Sequence, residues 1–199
     1  MLYPFPLRIP AGKKVLITQK YRSTELADFY KKQGLGITMH EAIDVVCGVD
    51  FETYGTPVVC PFPSARRDRG SFKGAMTDSN NFTQIEYTQS DGTKLLMIAV
   101  HLSEVVEKPT YKFGDVIGYV GNAGTVLPKP TLAHAYQGAH LHLAVQRNGV
   151  TDDPSKYFDV SSPFVGEDTG PDKDKPAADW VIAKILDLLK AFEQPHATN

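Results

Sequence analysis

The chain has 199 residues, of which 42% are hydrophobic and 22% are charged, a composition typical of a globular protein with a sizeable core. Its formal net charge is -2, which argues against nucleic acid as a partner, because phosphate binding needs a concentrated basic surface. No stretch reaches the ~20 consecutive apolar residues of a membrane-spanning helix, so we expect no membrane span. The N-terminus lacks the basic start and the unbroken apolar stretch of a signal peptide. An extracytoplasmic role would therefore need another export route or a trimmed chain.

The first predicted elements are a strand over residues 13–21 and a short helix from Thr24 to about Lys32, which ends near Gly34.

The sequence H-E-A-I-D at residues 40–44 permits two interpretations. Its H-E-x-x-D spacing is similar to half of a helical signature of zinc enzymes, in which residues i and i+4 share one face of a helix. The β-branched residues around Asp44 favour a strand instead. A straight strand would hold His40 and Asp44 about 13 Å apart, which is too far for two ligands of one ion. We therefore predict a bend between them, with Asp44 opening the strand.

The next predicted strand, over residues 54–61, is interpreted as the return of the same hairpin. Cys47 and Cys60 would then lie on neighbouring strands, where a single disulfide is conceivable. Two cysteines give no disulfide framework, and we favour two buried thiols. The basic run at residues 66–69 is interpreted as a solvated loop, with contact to an acidic substrate as the alternative.

A second hairpin is predicted over residues 82–100. Strands near 82–88 and 94–100 flank the turn sequence S-D-G-T. The second strand leads directly into His101. The apolar stretches of residues 112–124 are interrupted by glycines, which indicates tightly turning strands whose backbones approach closely.

The central strand of the predicted sheet covers residues 138–145 and follows a loop over residues 125–137. Its apolar residues alternate with the period of a β-strand, in which residues i and i+2 project from the same face. His140 and His142 would therefore lean into one pocket. Two strand histidines that pair with backbone or carboxylate groups are the alternative.

His40, Asp44 and His142 form a ligand set suited to catalytic zinc, which takes three protein ligands and leaves a fourth position for water. The ion would lower the pKa of that water toward ~7. His101 and His140 remain as uncoordinated imidazoles. One of them could accept the proton of the water, and the other could stabilise the oxyanion or protonate the leaving amine.

Five ordered motifs resemble those of the lysostaphin-type zinc endopeptidases, also called LytM-type peptidases. The motifs lie between about residue 13 and residue 158, and they are His40-x-x-x-Asp44, Gly55-Thr56-Pro57-Val58, His101-Leu102-Ser103, Gly114-Asp115-Val116-Ile117-Gly118 and His140-Leu141-His142.

The resemblance implies a mainly β fold: an antiparallel sheet of the lysostaphin-like (duplicated hybrid motif) type with a groove over it. It implies one Zn2+ per chain and hydrolysis of peptide bonds in bacterial peptidoglycan. It assigns the metal-ligand roles to His40, Asp44 and His142 and the catalytic roles to His101 and His140, in agreement with the assignment from chemistry.

The chain departs from the family at two places. Ala42 stands where the family usually has Gly, and a bend with positive φ would be strained there. The loop over residues 125–137 is long, and we expect it to form one wall of the substrate groove. His134 and Tyr136 could then contact substrate, although we favour the interpretation of His134 as a solvated loop residue.

We expect the peptidase domain to cover residues 1–160. The Pro-, Gly-, Asp- and Lys-rich residues 161–178 are interpreted as a linker, and residues 179–194 as an amphipathic helix. This helix could dock on its own domain, pair with a copy or bind a protein partner. Membrane attachment is least favoured, because the helix has no basic excess for anionic lipid.

The leading hypothesis is thus a zinc-dependent endopeptidase that acts on the cell wall, outside the cytoplasm or in the periplasm. A phage lysin or a wall-degrading part of a virion would fit a chain without a signal peptide. One rival is a non-catalytic module of the same fold that binds wall or has an assembly role. Another is a zinc carboxypeptidase, for which residues 66–69 offer the obvious basic group for a terminal carboxylate.

Overall fold

Two β-sheets make up most of the structure. A computed structural model describes residues 2–25, 27–32, 39–68 and 81–166. In chain order the strands are β1 (Tyr3–Ile9), β2 (Leu16–Gln19), β3 (Ile43–Val46), β4 (Pro57–Val59), β5 (Ser64–Arg67), β6 (Thr83–Thr88), β7 (Lys94–Val100), β8 (Leu102–Val105), β9 (Thr110–Lys112), β10 (Val116–Val120), β11 (Leu141–Arg147), β12 (Val150–Asp152) and β13 (Phe158–Val165). The helices are α1 (Ala27–Lys32) and α2 (Asp50–Thr53), with a 3-10 turn at Pro154–Lys156. None of the helices in the described residues is long and apolar enough to cross a membrane.

The larger sheet has eight strands in the order β2-β3-β11-β7-β6-β5-β9, with β12 paired to β11. The smaller sheet has five strands in the order β13-β1-β4-β10-β8. Within the described part of the chain, β1 and β13 are the one parallel pair, and the other pairings are antiparallel. The predicted fold class, mainly antiparallel β, is therefore confirmed. β11 lies between β3 and β7, as predicted for the central strand.

The main core lies between the two sheets, and the larger sheet also buries apolar side chains on its outer face. Alternate side chains of β7 point to opposite faces of the larger sheet. Leu95, Met97 and Ala99 join the main core, whereas Leu96, Ile98 and Val100 join a second cluster with Ala42 and Ala144. Leu141, Leu143 and Val145 of β11 face the main core. Since side chains alternate along a strand, His140 and His142 project from the outer face, beside the second cluster.

The predicted hairpin between β3 and residues 54–61 is wrong. α2 follows β3, and β4 then pairs with β1 and β10 in the smaller sheet rather than with β3. Gly55 has a φ of 75°, a left-handed conformation that lets the chain leave α2 and cross to the other sheet. Cys47 and Cys60 consequently follow strands of different sheets, and both are buried free thiols, as the sequence analysis favoured.

The described part of the basic run, residues 66–68, is not the predicted solvated loop, because Arg66 and Arg67 lie in β5. Arg66 Nη2 lies 2.7 Å from Glu86 Oε1 on the neighbouring strand, and Arg67 pairs with Glu107. Opposite charges on adjacent segments of a sheet explain how a basic sequence forms a strand here.

The strand β13 continues through Val165, so residues 161–165, predicted as the start of the linker, belong to a strand. β13 is an edge strand, where Pro163 is tolerated because one side of the strand needs no ladder partner. The rest of the predicted linker and the predicted helix over residues 179–194 lie outside the described residues and stay predictions.

Candidate metal centre

Asp44 and His142 are directly opposite each other on the neighbouring strands β3 and β11. His40 precedes β3 at the end of a turn, where its N–H donates to Ser23 O at 3.1 Å and its carbonyl accepts from Arg22 N–H at 2.6 Å. This is the predicted bend, with Asp44 near the start of the strand. Ala42 is fully buried and is not among the residues with a left-handed φ, so the strain expected from its replacing glycine does not arise.

Three donor atoms of these side chains converge on the outer face of the larger sheet. His142 Nδ1 lies 2.9 Å from Asp44 Oδ1 and 3.2 Å from His40 Nε2, and His40 Nε2 lies 3.2 Å from Asp44 Oδ1. Zinc–ligand bonds of 2.0–2.1 Å in tetrahedral geometry separate the ligand atoms by about 3.3 Å. The nearly equilateral triangle of two imidazole nitrogens and one carboxylate oxygen therefore fits a zinc ion, and the fourth position would be open.

The electrostatics of this triangle hold Asp44 as a carboxylate. Burial acts to raise the pKa of Asp44, but hydrogen bonds from His142 and His40 outweigh it and hold the pKa well below its usual range. Burial lowers the pKa of His142, which favours the neutral ring, and in the tautomer with the proton on Nε2 its Nδ1 lone pair is available to a metal ion. A metal ion requires both of these protonation states in its ligands.

His101 and His140 lie next to the triangle. The ring centroid of His101 is 4.8 Å from that of His140 and 5.6 Å from that of His142. His140 Nε2 lies 3.7 Å from Asp44 Oδ2. The structure thus brings together all five residues that the sequence analysis singled out for the site.

Backbone carbonyls determine which nitrogen of each catalytic candidate carries the proton. His101 Nδ1 lies 2.7 Å from Ala123 O, and His140 Nδ1 lies 2.8 Å from Gly138 O. A carbonyl oxygen can only accept, so each Nδ1 is the donor and each neutral ring leaves Nε2 free to take a proton. Burial, followed by the neighbouring His140 and His142, lowers the pKa of His101 to about 3, so this ring is neutral at ordinary pH.

His101 lies where the chain passes from β7 of the larger sheet to β8 of the smaller one. Its φ of 63° is in the left-handed region, which is uncommon for a residue other than glycine. The kink turns the chain from one sheet to the other, and it places the ring beside the candidate metal ligands. Such backbone strain is characteristic of functional sites.

Two residues of the loop before β11 were predicted to contact substrate, and one of them is packed while the other is exposed. Tyr136 packs edge-on against Phe51 and Tyr54, with ring centroids 5.4 Å and 4.8 Å away, so its ring anchors the loop to α2. His134 is exposed and accepts from Thr131 N–H through its backbone. The sequence analysis did not single out Phe51, which lies in α2, or Tyr54, which directly follows it. Two aromatic residues three positions apart were the one signal in the sequence for this contact.

No protein-family profile matches the sequence, and no curated protein sequence does. Solved structures similar to the chain include that of Csd3 from Helicobacter pylori, with 18% identity and a TM-score of 0.48 over 96% of this chain and 44% of that one. A zinc containing peptidase from Vibrio cholerae has 15% identity and a TM-score of 0.49 over 77% of this chain and 39% of that one. The catalytic domain of the prophage-encoded M23 protein EnpA from Enterococcus faecalis has 19% identity and a TM-score of 0.46 over 77% of this chain and 97% of that domain.

The chain spans less than half the length of the first two of these proteins. These similarities show the fold alone. The chemistry proposed for the site is derived from the side chains of this chain. Structures of M23 and LytM-type proteins are among those similar to this chain.

Proposed function

We propose that this protein is a zinc-dependent endopeptidase that hydrolyses peptide bonds in bacterial peptidoglycan. The observation that carries the proposal is the convergence of three donor atoms, 2.9 to 3.2 Å apart, beside two imidazoles that each have a free Nε2. A metal centre with an open position and two adjacent proton acceptors is the arrangement that metal-assisted peptide hydrolysis requires.

His40, Asp44 and His142 would hold the ion. When bound, zinc would lower the pKa of a coordinated water toward neutrality and polarise the carbonyl of the scissile bond. The carboxylate of Asp44 and the neutral ring of His142 are in the protonation states that ligands need.

His140 and His101 would move protons and stabilise charge. Each ring is held by a carbonyl at Nδ1, so each can accept a proton at Nε2 and return it to a leaving amine. A protonated ring at either position would also donate to an oxyanion that develops on the substrate. The low pKa of His101 favours the neutral form of this ring in the resting protein.

Peptidoglycan is proposed as the substrate because the ordered motifs resemble those of the lysostaphin-type peptidases. Activity on the cell wall places the protein outside the cytoplasm, in the periplasm or extracellular space. A phage-encoded lysin or virion-associated hydrolase is the delivery route that we favour. The helix expected over residues 179–194 would then bind a partner protein or a second copy.

A carboxypeptidase that recognises a terminal carboxylate is less well supported. Arg66 and Arg67, the candidate basic groups, are engaged with Glu86 and Glu107, and two strands, β7 and β6, separate β5 from β11 in the order of the sheet. A cationic group that neutralises a terminal carboxylate would have to face the metal centre.

The proposal is tested by digesting peptidoglycan of defined composition and identifying the fragments by mass spectrometry. Internal peptide cuts by zinc-loaded protein support an endopeptidase, loss of terminal residues indicates a carboxypeptidase, and intact peptides indicate a non-catalytic module. His101→Ala and His140→Ala should retain zinc and lose most turnover, by about 100-fold or more. Glu104→Gln, an exposed change on β8, is the control and should behave as the wild-type protein.

A further inference from the structure

The segment between β10 and β11 is closed on itself beside the metal centre. Gly121 and His140 form an antiparallel bridge, in which His140 N–H donates to Gly121 O at 3.3 Å. The residues between them, here called the 122–139 loop, therefore begin and end side by side. Gly138 has a φ of 75°, and a Cβ at this position would overlap Pro128 O, so the end of the loop packs tightly on its middle.

This one loop supplies the hydrogen-bond acceptors of both catalytic candidates. Ala123, near its start, offers the carbonyl that accepts from Nδ1–H of His101. Gly138, near its end, offers the carbonyl that accepts from Nδ1–H of His140. The two rings come from distant parts of the chain, and the loop fixes the proton on the same nitrogen in both.

Asn122 joins the two ends of the loop from within. Its Nδ2 donates to Ala135 O at 2.8 Å and to Gln137 O at 3.1 Å, so both N–H groups of the carboxamide are used. Asn122 directly precedes Ala123, and Gln137 directly precedes Gly138. The side chain therefore links the two peptide segments whose next carbonyls orient the imidazoles.

We propose that Asn122 is a positioning residue that sets the tautomer and the direction of His101 and His140 through the 122–139 loop. The inference rests on the proposed function for its effect on turnover. Without the carboxamide, the carbonyls of Ala123 and Gly138 lose their fixed directions. Each neutral ring then populates both tautomers, and the form with Nε2 protonated cannot act as a base.

The variant Asn122→Asp keeps the shape of the side chain but removes both donors and directs a carboxylate at two carbonyl oxygens. The matched control is Asn148→Asp, in the turn after β11, where the side-chain oxygen accepts from Lys94 N–H at 2.9 Å and the aspartate retains that acceptor. Turnover of N122D should fall by about 10- to 100-fold, the range typical of residues that orient catalytic or metal-bound groups. Its KM and zinc content should stay unchanged, and N148D should behave as the wild-type protein.

The tautomers are measured directly from the 15N chemical shifts of the histidine ring nitrogens, in long-range 1H–15N NMR spectra of the zinc-loaded protein. Wild-type protein should show His101 and His140 protonated at Nδ1, and N122D should show a mixture of tautomers at both rings. Unchanged ring signals in folded N122D would overturn the positioning role, whatever its activity. If N122D does not fold, Asn122→Ser, which retains one hydroxyl donor, replaces it. A mixture of tautomers then supports the positioning role, and unchanged ring signals overturn it.

The spectrum also separates the two proposals. A wild-type protein that cleaves no peptide bond contradicts the proposed function, while the tautomers of N122D still decide the role of Asn122.

Discussion

Asp44 and His142 are cross-strand partners whose Cα atoms pair in the β3–β11 ladder, and their side-chain donor atoms lie 2.9 Å apart. Residues that are opposite in an antiparallel pair project from the same face, so strand register alone brings together two groups 98 positions apart in the sequence. A shift of one residue would turn one of them into the main core. The candidate metal centre is thus built on the β3–β11 pair, with His40 added from the bend before β3.

Replacing Asp44 by Ala should remove zinc. The variant deletes the one anionic ligand, so we expect the affinity for zinc to fall by more than about 100-fold, beyond the loss typical of outer-shell changes. Zinc content after dialysis and competition with a chelator measure this. Since bound metal stabilises the folded state, a chelator should lower the melting temperature of the wild-type protein and leave that of D44A unchanged. A D44A protein that keeps one tightly bound zinc would refute the ligand assignment, and Glu104→Gln controls for a loss of one carboxylate.

The strands that carry the site were predictable because their signals are local. The alternation around His140 and His142 places both on one face, and the distance between His40 and Asp44 in a straight strand demands a bend. Such arguments need only a few neighbouring residues and the geometry of a strand.

The features that the sequence did not reveal depend on contacts between distant segments. β1 contains Pro4 and Pro6, which usually exclude a strand, and its pairing with β13 is interrupted by register shifts that accommodate them. The pattern of residues 54–61 predicts a strand, but it does not indicate which strands this one pairs with. The groups that orient His101 and His140 are backbone carbonyls, which every residue has, so no sequence pattern marks them.

The stability of the zinc-free protein should depend on pH through His101. The pKa of this ring falls from 6.5 in a model peptide to about 3 in the folded protein, because the ring is buried beside His140 and His142. Above pH 6.5 the ring is neutral in both states and has no effect. Between pH 6.5 and about 3, the unfolded chain binds a proton that the folded protein does not, so the free energy of unfolding falls as the pH falls.

Denaturant unfolding of the zinc-free protein at a series of pH values measures this loss, which should be of the order of a few kcal/mol across the interval. His101→Asn keeps a residue that tolerates the left-handed φ and removes the titrating ring. Its stability should therefore depend less steeply on pH. Asp44 contributes only below its ordinary pKa of 3.8, since its pKa is also lowered. Equal slopes for the wild-type protein and H101N would show that His101 takes up its proton equally in the folded and unfolded states.

The backbone at His101 should make the site costly for stability. His101 has a φ of 63°, a conformation that costs a residue with a Cβ about 1 kcal/mol or more relative to glycine. We expect His101→Gly to be more stable than His101→Ala by about 1 kcal/mol, although both lack the ring and neither should turn over substrate at the normal rate. Denaturant unfolding of the two zinc-loaded variants measures the difference. Equal stabilities would mean that the kink between β7 and β8 relaxes when the ring is removed.

Gly138→Ala should separate metal binding from catalysis. Gly138 and Gly149 have φ values of 75° and 81°, so alanine meets the same backbone cost of about 1 kcal/mol at either position. At Gly138 the added Cβ would also overlap Pro128 O, whereas at Gly149 it meets no atom within 4 Å. The overlap must shift the peptide whose carbonyl accepts from His140 Nδ1.

We expect G138A to keep its zinc and lose at least about 10-fold in turnover, and G149A to lose only stability. Equal turnover of the two variants would mean that the carbonyl of Gly138 has no part in orienting His140, and a loss of zinc from G138A would mean that the loop supports the ligands as well as the base.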